Sequence, residues 1–426
     1  MIEKLRLLTR TSTFKTSSGG LFNGFFAAGA NRTYRKDGLI DARARRVFDT
    51  MAKACQAGLY PFQIALETRS GPRVKAEGRE MLMLSSYDYL GLIGDPRVDE
   101  AAIEAVRKYG TGTGGVRMLT GTVDLHREME KELAAFKGTA EAITFNSGYI
   151  ANMAVVSALL MPQDRVILDA LAHRSLVDAC RLAGVQIQRF RHNDPDSLRH
   201  ELANGPEANR TLIIADGVFS MDGDICRLPE LIAIKKEYGC FLMVDESHST
   251  GVLGTHGRGT DEHFGIAATE VDIWTGSLAK AIPSSGGFVA VSQELGIYLQ
   301  HAAGPFIFSA ALCPAAAAAV RATIAILKSE PERVARLKRN GDFLRNGLQD
   351  LGYDTGMSET PIVPVILKDE PTAAMLAGNL RENGILATPI MFPAVPQGTA
   401  RLRLCATAAQ TLDMLQQALD VFKKLW

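Results

Sequence analysis

Short apolar runs that alternate with helix-like segments limit the fold of this chain more than any other feature. From about residue 95 the runs "DRVILDA", "RTLIIADGVFS", "CFLMVDESHST" and "VDIWTGSLAK" each end in small or polar residues, and segments such as "SLVDACRLAG" lie between them. Strands that alternate with helices form mostly parallel sheets with helices on both faces. The sequence therefore predicts an α/β fold.

The sequence pattern changes at about residue 310, where an alanine-rich segment, "PAAAAAVRATIAIL", precedes the strand-like runs "PIVPVIL" and "ARLRLCATA". We therefore predict an N-terminal arm over residues 1–60, a large domain over 61–310 and a small C-terminal α+β domain over 311–426. The start of the arm is basic and rich in Ser, Thr and Gly, which is also typical of transit peptides. We expect an ordered arm that packs near the mouth of the site or on a partner subunit; a simple dimer clasp is the alternative.

The composition excludes several classes of protein. The 426 residues include 47 Lys and Arg and 47 Asp and Glu, so no net charge attracts nucleic acid or an acidic membrane surface. The six cysteines are scattered, whereas disulfide and zinc frameworks need grouped cysteines, so no metal site is predicted. The scattered cysteines also indicate a reducing, cytoplasmic interior. Because no apolar run reaches the roughly 18 residues that span a bilayer, we predict no transmembrane segment.

Polar residues close the predicted strands, and they are the candidates for chemistry. In mostly parallel sheets, ligands bind at the carboxyl ends of the strands. The residues at these ends are Asn146, Ser147, His173, Ser220, Asp245, His248 and Lys280.

Lys280 lies in the apolar stretch "WTGSLAKAIPSSGGFVA", between segments that we expect to form a Thr-Gly-Ser turn and a Ser-Ser-Gly-Gly turn. It is either a lysine whose charged end reaches water or a desolvated amine ready to form a Schiff base with an aldehyde. Asp245 is either a cap for the loop that follows its strand or the carboxylate that keeps a pyridine nitrogen protonated. Together the two residues form the pair that a pyridoxal phosphate (PLP) site requires.

A phosphate group would bind where "FNSGYIAN" turns from a strand into a helix. Ser147, Gly148 and Tyr149 would present free N–H groups with the helix dipole behind them, and Ser277 would add a hydroxyl. The glycine-rich "YGTGTGGVRMLTG" lacks the spacing and the Gly-Lys-Ser/Thr ending of nucleotide-binding loops. We expect it to form a flexible loop at the mouth of the site.

Several stretches, taken in order, resemble the motifs of the α-oxoamine synthases. They are "SSYDYLGL", "GTGTGGVRMLTGTVDLHREMEKELAAFKG", "LAHRSLVDACRL", "DGVFSMDGDICRLPEL", "VDESHSTGVLGTHGRG" and "GSLAKAIPSSGG". The resemblance runs from about residue 60 to the C-terminus. It implies a fold-type-I PLP-dependent transferase, whose large domain contains a mostly parallel seven-stranded sheet flanked by helices.

The resemblance also implies the catalytic roles. Lys280 would hold PLP covalently and act as the base, Asp245 would pair with the pyridinium nitrogen, and His173 would stack on the ring. Ser220 and His248 would hydrogen-bond near the ring hydroxyl. Taken singly, His173 could instead be a satisfied core histidine.

The remaining roles concern the phosphate and the amino acid. The resemblance implies that the phosphate is held by Ser147, Gly148, Tyr149 and Ser277, with Ser309 reaching it from a second subunit. Arg403 in "ARLRLCATA" would hold the carboxylate of the amino acid with its planar fork of donors. Taken singly, Arg403 could be a surface charge on a strand.

Some positions depart from the family pattern. Ala172 lies where an asparagine is common, which leaves the positioning of the ring open, and Arg174 follows the histidine. Asp88 replaces a common amide, and Pro283 lies where small flexible residues are usual. We expect Arg174 to meet a phosphate of the acyl donor; a solvated charge is the alternative.

The implied reaction condenses a small amino acid with an acyl-CoA or acyl carrier protein thioester, with loss of carbon dioxide and thiol, and gives an α-amino ketone. The resemblance is closest to serine palmitoyltransferase, so L-serine and a fatty acyl thioester are the first expectation. The alternatives are 8-amino-7-oxononanoate synthase and glycine C-acetyltransferase, or a non-catalytic regulatory subunit, which would lack the cofactor lysine. We expect a homodimer with shared active sites, no nucleic acid, and at most peripheral membrane contact.

Overall fold

The computed structural model describes residues 42–56 and 60–425. Of the predicted N-terminal arm, residues 42–56 and 60 are described, and the contacts predicted for the rest of it fall outside the described residues. Within the described part of the chain the strands are β1 (Arg73–Ala76), β2 (Arg79–Met83), β3 (Glu141–Phe145), β4 (Arg165–Asp169), β5 (Gln186–Phe190), β6 (Thr211–Asp216), β7 (Phe241–Asp245), β8 (Ile273–Ala279), β9 (Pro283–Val291), β10 (Ile362–Lys368), β11 (Ile385–Leu386), β12 (Thr388–Ile390) and β13 (Ala400–Cys405).

The helices connect these strands and cover the sheets. In chain order they are α1 (Ala42–Gln56), α2 (Pro96–Tyr109), α3 (Asp124–Lys137), α4 (Gly148–Leu159), α5 (Arg174–Ala183), α6 (Pro195–Asn204), α7 (Leu228–Tyr238), α8 (Thr260–Phe264), α9 (Gln293–Ala302), α10 (Gly304–Phe308), α11 (Pro314–Ser329), α12 (Glu332–Asp350), α13 (Glu370–Glu382) and α14 (Leu412–Leu425). Gly184 ends α5 in the left-handed conformation that favours glycine, as the sequence predicts.

Seven of the described strands form the large sheet, in the order β3-β9-β8-β7-β6-β4-β5. The five strands from β8 to β5 run parallel, and β9 is antiparallel to both β8 and β3. The predicted α/β fold, with a mostly parallel seven-stranded sheet and a separate smaller sheet toward the C-terminus, is confirmed.

Three neighbouring strands of the large sheet end in carboxylates. Asp169, Asp216 and Asp245 close β4, β6 and β7, and each is at least 96% buried. The residues before them are apolar and buried against helices on both faces. Because parallel strands bring their carboxyl ends to one edge of a sheet, this edge collects buried charge where a ligand can reach it.

The segment around Lys280 differs from its prediction. Ala279 pairs with Pro283, so Lys280 lies in a tight hairpin loop between β8 and β9. The predicted Thr-Gly-Ser and Ser-Ser-Gly-Gly turns are wrong, because both segments are strand. A Cβ on Gly287 would lie 2.4 Å from the backbone nitrogen of Gly148, so this glycine allows close approach to a neighbouring backbone and does not mark a turn.

Two small sheets lie beyond the large one. β10, β13 and β12 form an antiparallel sheet. In the other small sheet β2 pairs antiparallel with β1 and parallel with the short strand β11. The alanine-rich helix α11 packs against α2 and α3 beside the large sheet. The predicted domain limits at residues 60 and 310 stay predictions.

Neither a membrane-spanning helix nor a metal site is found in the described chain. None of the helices within residues 42–56 and 60–425 combines the length and the apolar character needed to cross a bilayer. The same residues contain no group of His, Cys, Asp and Glu side chains arranged to hold a metal ion.

Candidate active site

Lys280 and His248 meet at the carboxyl edge of the large sheet. The Lys280 Nζ lies 2.9 Å from Nε2 of His248, and His248 is buried. Burial lowers the pKa of Lys280 to about 8, with Arg403 acting in the same direction and Asp245 opposing it. A partly buried amine with a lowered pKa is a better nucleophile near neutral pH than an ordinary lysine.

Arg403 is held in the same cluster by contacts from both sides. Its Nη2 donates to the hydroxyl of Tyr89 at 3.0 Å, its Nη1 lies 2.7 Å from the Sγ of Cys405, and its Nε donates to the backbone carbonyl of Ser220. The guanidinium also lies 4.7 Å above the ring of Tyr87. The Tyr89 hydroxyl in turn lies 2.8 Å from Nδ1 of His248, so the arginine is linked to Lys280 through two side chains.

Asp245 is fixed by donors to both of its oxygens. Nδ2 of Asn152 donates to Oδ2 at 2.7 Å, and the backbone N–H of Ser247 donates to Oδ1 at 2.9 Å. Asn152 itself accepts from Thr275 Oγ1 and donates to Ser175 Oγ. A buried carboxylate with its orientation fixed in this way can face a positively charged ring nitrogen.

His173 begins α5 next to this network. Its Nδ1 lies 2.7 Å from Ser175 Oγ, and its backbone N–H donates to Oδ1 of Asp216 at 3.1 Å. Although the residue keeps an exposed face, partial burial of the ring lowers the pKa of His173, which favours a neutral ring. Burial and the neighbouring Asp245 raise the pKa of Asp216 well above its usual value.

The start of α4 forms the other end of the site. Ser147 is the N-cap, and its Oγ accepts from the backbone N–H of Ile150 at 3.1 Å. A Cβ on Gly148 would lie 3.1 Å from Ser277, so this glycine brings the helix start close to β8. The first N–H groups of a helix have no partner within the helix, and they attract anions.

Tyr149 and Ser309, also predicted to bind the phosphate, have other contacts near the start of α4. The hydroxyl of Tyr149 donates to Asp178 at 2.6 Å on the exposed side of α4, so its backbone N–H is the group left for an anion. Ser309 follows α10, and the carbonyl of the next residue, Ala310, accepts from Asn146 Nδ2 at 3.0 Å. The exposed Arg174 pairs with the half-buried Asp178.

Sequence reasoning missed Tyr89, Asn152 and Asp216. Asp216 ends an apolar run, which is the same signal that selected Asp245, but Asn152 lies inside a helix and Tyr89 inside a loop. The contact between Tyr89 and Arg403 joins residues 314 positions apart. No local pattern could have found it.

The donor set fits PLP. Within the described chain, Lys280 Nζ has His248 as its hydrogen-bond partner and forms no ion pair, so the amine is available to an aldehyde. Asp245 offers a fixed carboxylate, and the start of α4 offers N–H groups for a phosphate. Residues of these three kinds are what the cofactor requires.

Comparisons with known proteins agree with this chemistry. The family model described as aminotransferase class I and II matches residues 79–422. The chain is 44% identical over 371 residues to an 8-amino-7-oxononanoate synthase from Symbiobacterium thermophilum, covering 87% of this chain and 94% of that protein. It is 42% identical over 370 residues to the synthase of the same name from Exiguobacterium sibiricum, covering 87% and 95%.

A solved structure is similar over most of the chain. A serine palmitoyltransferase variant from S. paucimobilis, with a bound aldimine of PLP and myriocin, has a TM-score of 0.87 and 34% identity, covering 90% of this chain and 97% of that one. The matched range and the identities establish the family and its cofactor. The chain belongs to the class I and II aminotransferases and, within them, to the α-oxoamine synthases, as a PLP-dependent acyltransferase.

Proposed function

We propose that this enzyme condenses L-alanine with a dicarboxylic acyl thioester, as an 8-amino-7-oxononanoate synthase. The observation that carries the proposal is the identity of 44% and 42% to two proteins of that name over almost their whole length. This assignment replaces L-serine and a fatty acyl thioester as the first expectation.

The name of the product defines its two precursors. The amino group of 8-amino-7-oxononanoate is on a carbon that also bears a methyl group, and alanine that has lost its carboxyl group supplies that unit. The rest of the product is an acyl chain that starts at the ketone and ends in a carboxylate. The acyl donor is therefore a thioester with a free carboxylate at its far end.

The catalytic residues bind and orient the cofactor and move one proton. Lys280 would link to the aldehyde of PLP, and Asp245, held by Asn152, would face the pyridine nitrogen. PLP bound there supplies an electron sink for the charge that develops on the amino acid. Lys280 Nζ accepts the proton from the α-carbon, because its lowered pKa leaves it largely neutral above about pH 8. His173 would stack on the ring.

The remaining residues orient the ring and the two charged groups. Ser220 and His248 would lie near the ring hydroxyl. The residues proposed for the phosphate are Ser147, Gly148, Tyr149, Ser277 and, from a second subunit, Ser309. Arg403 would exchange its present partners for the carboxylate of the amino acid, since its fork of donors matches a carboxylate.

A substrate matrix tests the assignment. Purified enzyme loaded with PLP is assayed for thiol release with L-alanine, L-serine or glycine, each paired with an acetyl, palmitoyl or heptanedioyl thioester on coenzyme A or acyl carrier protein. We expect the highest kcat/KM for L-alanine with the heptanedioyl thioester. A preference for L-serine with the palmitoyl thioester would overturn the assignment.

Serine palmitoyltransferase activity is the second candidate. The observation that favours it is the structural similarity, with a TM-score of 0.87 over 90% of the chain. The identity of 34% to that structure is lower than the identity to the synthases named above. The same substrate matrix separates the two candidates.

A further inference from the structure

A buried line of hydrogen bonds connects Arg403 to Lys280 through Tyr89, a residue to which the proposed function gives no role. It runs from Arg403 Nη2 to Tyr89 Oη (3.0 Å), then to His248 Nδ1 (2.8 Å), and from His248 Nε2 to Lys280 Nζ (2.9 Å). Tyr89, His248 and Arg403 are each at least 94% buried. Water therefore has little access to the two bonds that Tyr89 makes, and their direction is set by the side chains themselves.

The direction of each bond follows from what each group can donate. A guanidinium has no acceptor, so the Tyr89 oxygen accepts from Arg403 and has a single proton left to give. The thiol of Cys405 also contacts Tyr89 but accepts weakly, so the phenol donates to Nδ1 of His248. A neutral imidazole that accepts at Nδ1 carries its proton on Nε2. That N–H then donates to Lys280, which can accept only as a neutral amine.

We propose that Tyr89 is a positioning residue that fixes the Nε2-protonated tautomer of His248 and thereby keeps Lys280 a neutral amine. Without the phenol, His248 can carry its proton on Nδ1 and accept at Nε2 from a lysine ammonium. The phenol thus selects the protonation state in which Lys280 reacts with an aldehyde and accepts a proton. The inference rests on the proposed role of Lys280 and is independent of which amino acid and thioester react.

The groups around Lys280 act on its pKa in opposite directions, so one hydrogen bond can decide its protonation state. Burial and Arg403 lower its pKa, whereas Asp245 and Asp216 raise it. Burial lowers the pKa of His248 well below its usual value, with Arg403 acting in the same direction, so the imidazole is neutral. The groups that face the pair are Asp216, Asp245, His173, Tyr87, Tyr89 and Arg403.

The backbone holds Tyr89 in place. Its carbonyl accepts from the N–H of Ala408 at 2.7 Å, which ties it to the segment after β13. The carboxylate of Asp88 accepts from the N–H groups of Leu92 and Ile93 at 2.9 and 3.2 Å. Asp88, which departs from the family pattern, therefore caps the loop that carries the phenol.

The test measures the protonation of Lys280 in the full chain freed of PLP. The chain is labelled with trace acetic anhydride against an internal amine standard across pH 6 to 11. Mass spectrometry of the Lys280 peptide then gives the extent of labelling at each pH, and the midpoint of that curve is the pH at which Lys280 is half protonated. We expect Tyr89→Phe to raise this midpoint by about one pH unit, a tenfold change in acid dissociation. In ¹⁵N spectra of the same variant, Nδ1 of His248 should change from the shift of an acceptor nitrogen toward that of a protonated one.

Tyr353→Phe is the matched control, because its hydroxyl is also buried and donates to the carbonyl of Phe422 within the core beside the small antiparallel sheet. It should lower stability to a similar degree and leave the Lys280 midpoint unchanged. A midpoint in Tyr89→Phe that equals the midpoint in Tyr353→Phe would overturn the proposal. The proposed link of Lys280 to PLP is tested separately by the visible absorption of the loaded enzyme, so either idea can fail alone.

Discussion

Arg403 is surrounded by a carbonyl, a phenol, a thiol and an aromatic ring. Such a position uses the planar fork of a guanidinium, which the compact charge of a lysine does not reproduce. We predict that Arg403→Lys raises the dissociation constant of the amino acid by about tenfold, or ~1.4 kcal/mol. This dissociation constant is measured by titrating the PLP-loaded enzyme with amino acid and following the PLP absorption band.

Arg401 provides the control for this prediction. It lies two residues earlier on β13 and donates to Asp222 and to the carbonyl of Met221. Arg401→Lys should change the dissociation constant of the amino acid by no more than about twofold from the wild-type value, less than ~0.5 kcal/mol. Equal weakening in both variants would mean that the lysines act through the position of β13 and that Arg403 does not contact the carboxylate.

Asp245 shows how a strand-end carboxylate can be assigned a chemical role. A neutral amide at this position cannot keep a pyridine nitrogen protonated, so Asp245→Asn is predicted to lower kcat about a hundredfold or more. Steady-state kinetics at saturating PLP measure the change. Asp272 is the matched residue at the opposite edge, where its carboxylate accepts from the N–H of Leu242 at 2.7 Å. Asp272→Asn should keep its kcat, and an unchanged kcat in Asp245→Asn would leave that residue as a strand cap.

At the scale of elements, one histidine joins the end of β4 to the loop that carries Ser220. His192 Nδ1 and Nε2 each lie 2.9 Å from a carboxylate oxygen, of Asp169 and Asp224 respectively. Although burial opposes it, these two hydrogen bonds raise the pKa of His192 to about 10. The ring also packs against Phe219 at 4.4 Å between centroids.

This pKa gives stability a defined dependence on pH. His192 is protonated in the folded chain up to about pH 10, whereas the unfolded chain loses that proton near the ordinary value of 6.5. The stabilisation is therefore complete below about pH 6.5 and is lost as pH rises to about 10. We predict that urea unfolding of the wild type shows this loss and that His192→Gln shows a flatter profile between these limits.

His200, on the exposed side of α6, supplies the comparison for the pH profile. Its side chain is 72% exposed and lies 3.7 Å from Glu201. His200→Gln should follow the wild-type curve. A His192→Gln curve parallel to the wild type would show that the two carboxylates do not share a proton-bearing histidine in solution.

The sequence predicts those elements that are decided by local pattern. Strands β4, β6 and β7 are apolar runs that end in a carboxylate, and α4 and α5 begin at polar caps, so all five could be read from neighbouring residues. The hairpin around Lys280 could not, because Gly287 in β9 is required by the approach of α4, whose start is over a hundred residues earlier in the chain. The contacts of Tyr89 could not be predicted either, since its partners become neighbours only when the sheets pack.

At the scale of the whole molecule, exposed apolar side chains lie beside the phosphate end of the site. Phe308 and Leu119 are 81% and 79% exposed, and Val116 bridges Ala310 between them. Exposed apolar surface of this kind is typical of subunit interfaces. We predict a homodimer with an isologous interface that includes Phe308.

Sedimentation equilibrium measures the association. Phe308→Ser should raise the dimer dissociation constant about tenfold or more, consistent with loss of one large apolar contact. Met357 is equally exposed, at 81%, and Met357→Ser serves as the control that should not change association. A wild-type chain that stays monomeric at micromolar concentration while fully active would contradict the prediction.

Arg401 and Arg403 of β13 both bind the loop at residues 220–222, which follows β6. Arg403, which we propose for the carboxylate of the amino acid, therefore also joins the small sheet to the large sheet. A carboxylate that binds the Nε side of Arg403 would displace the Ser220 carbonyl. Decarboxylation then destroys the group that displaced it. The amino ketone no longer carries that carboxylate, so we expect the guanidinium to bind the Ser220 carbonyl again, and the departure of carbon dioxide would then favour release of the product.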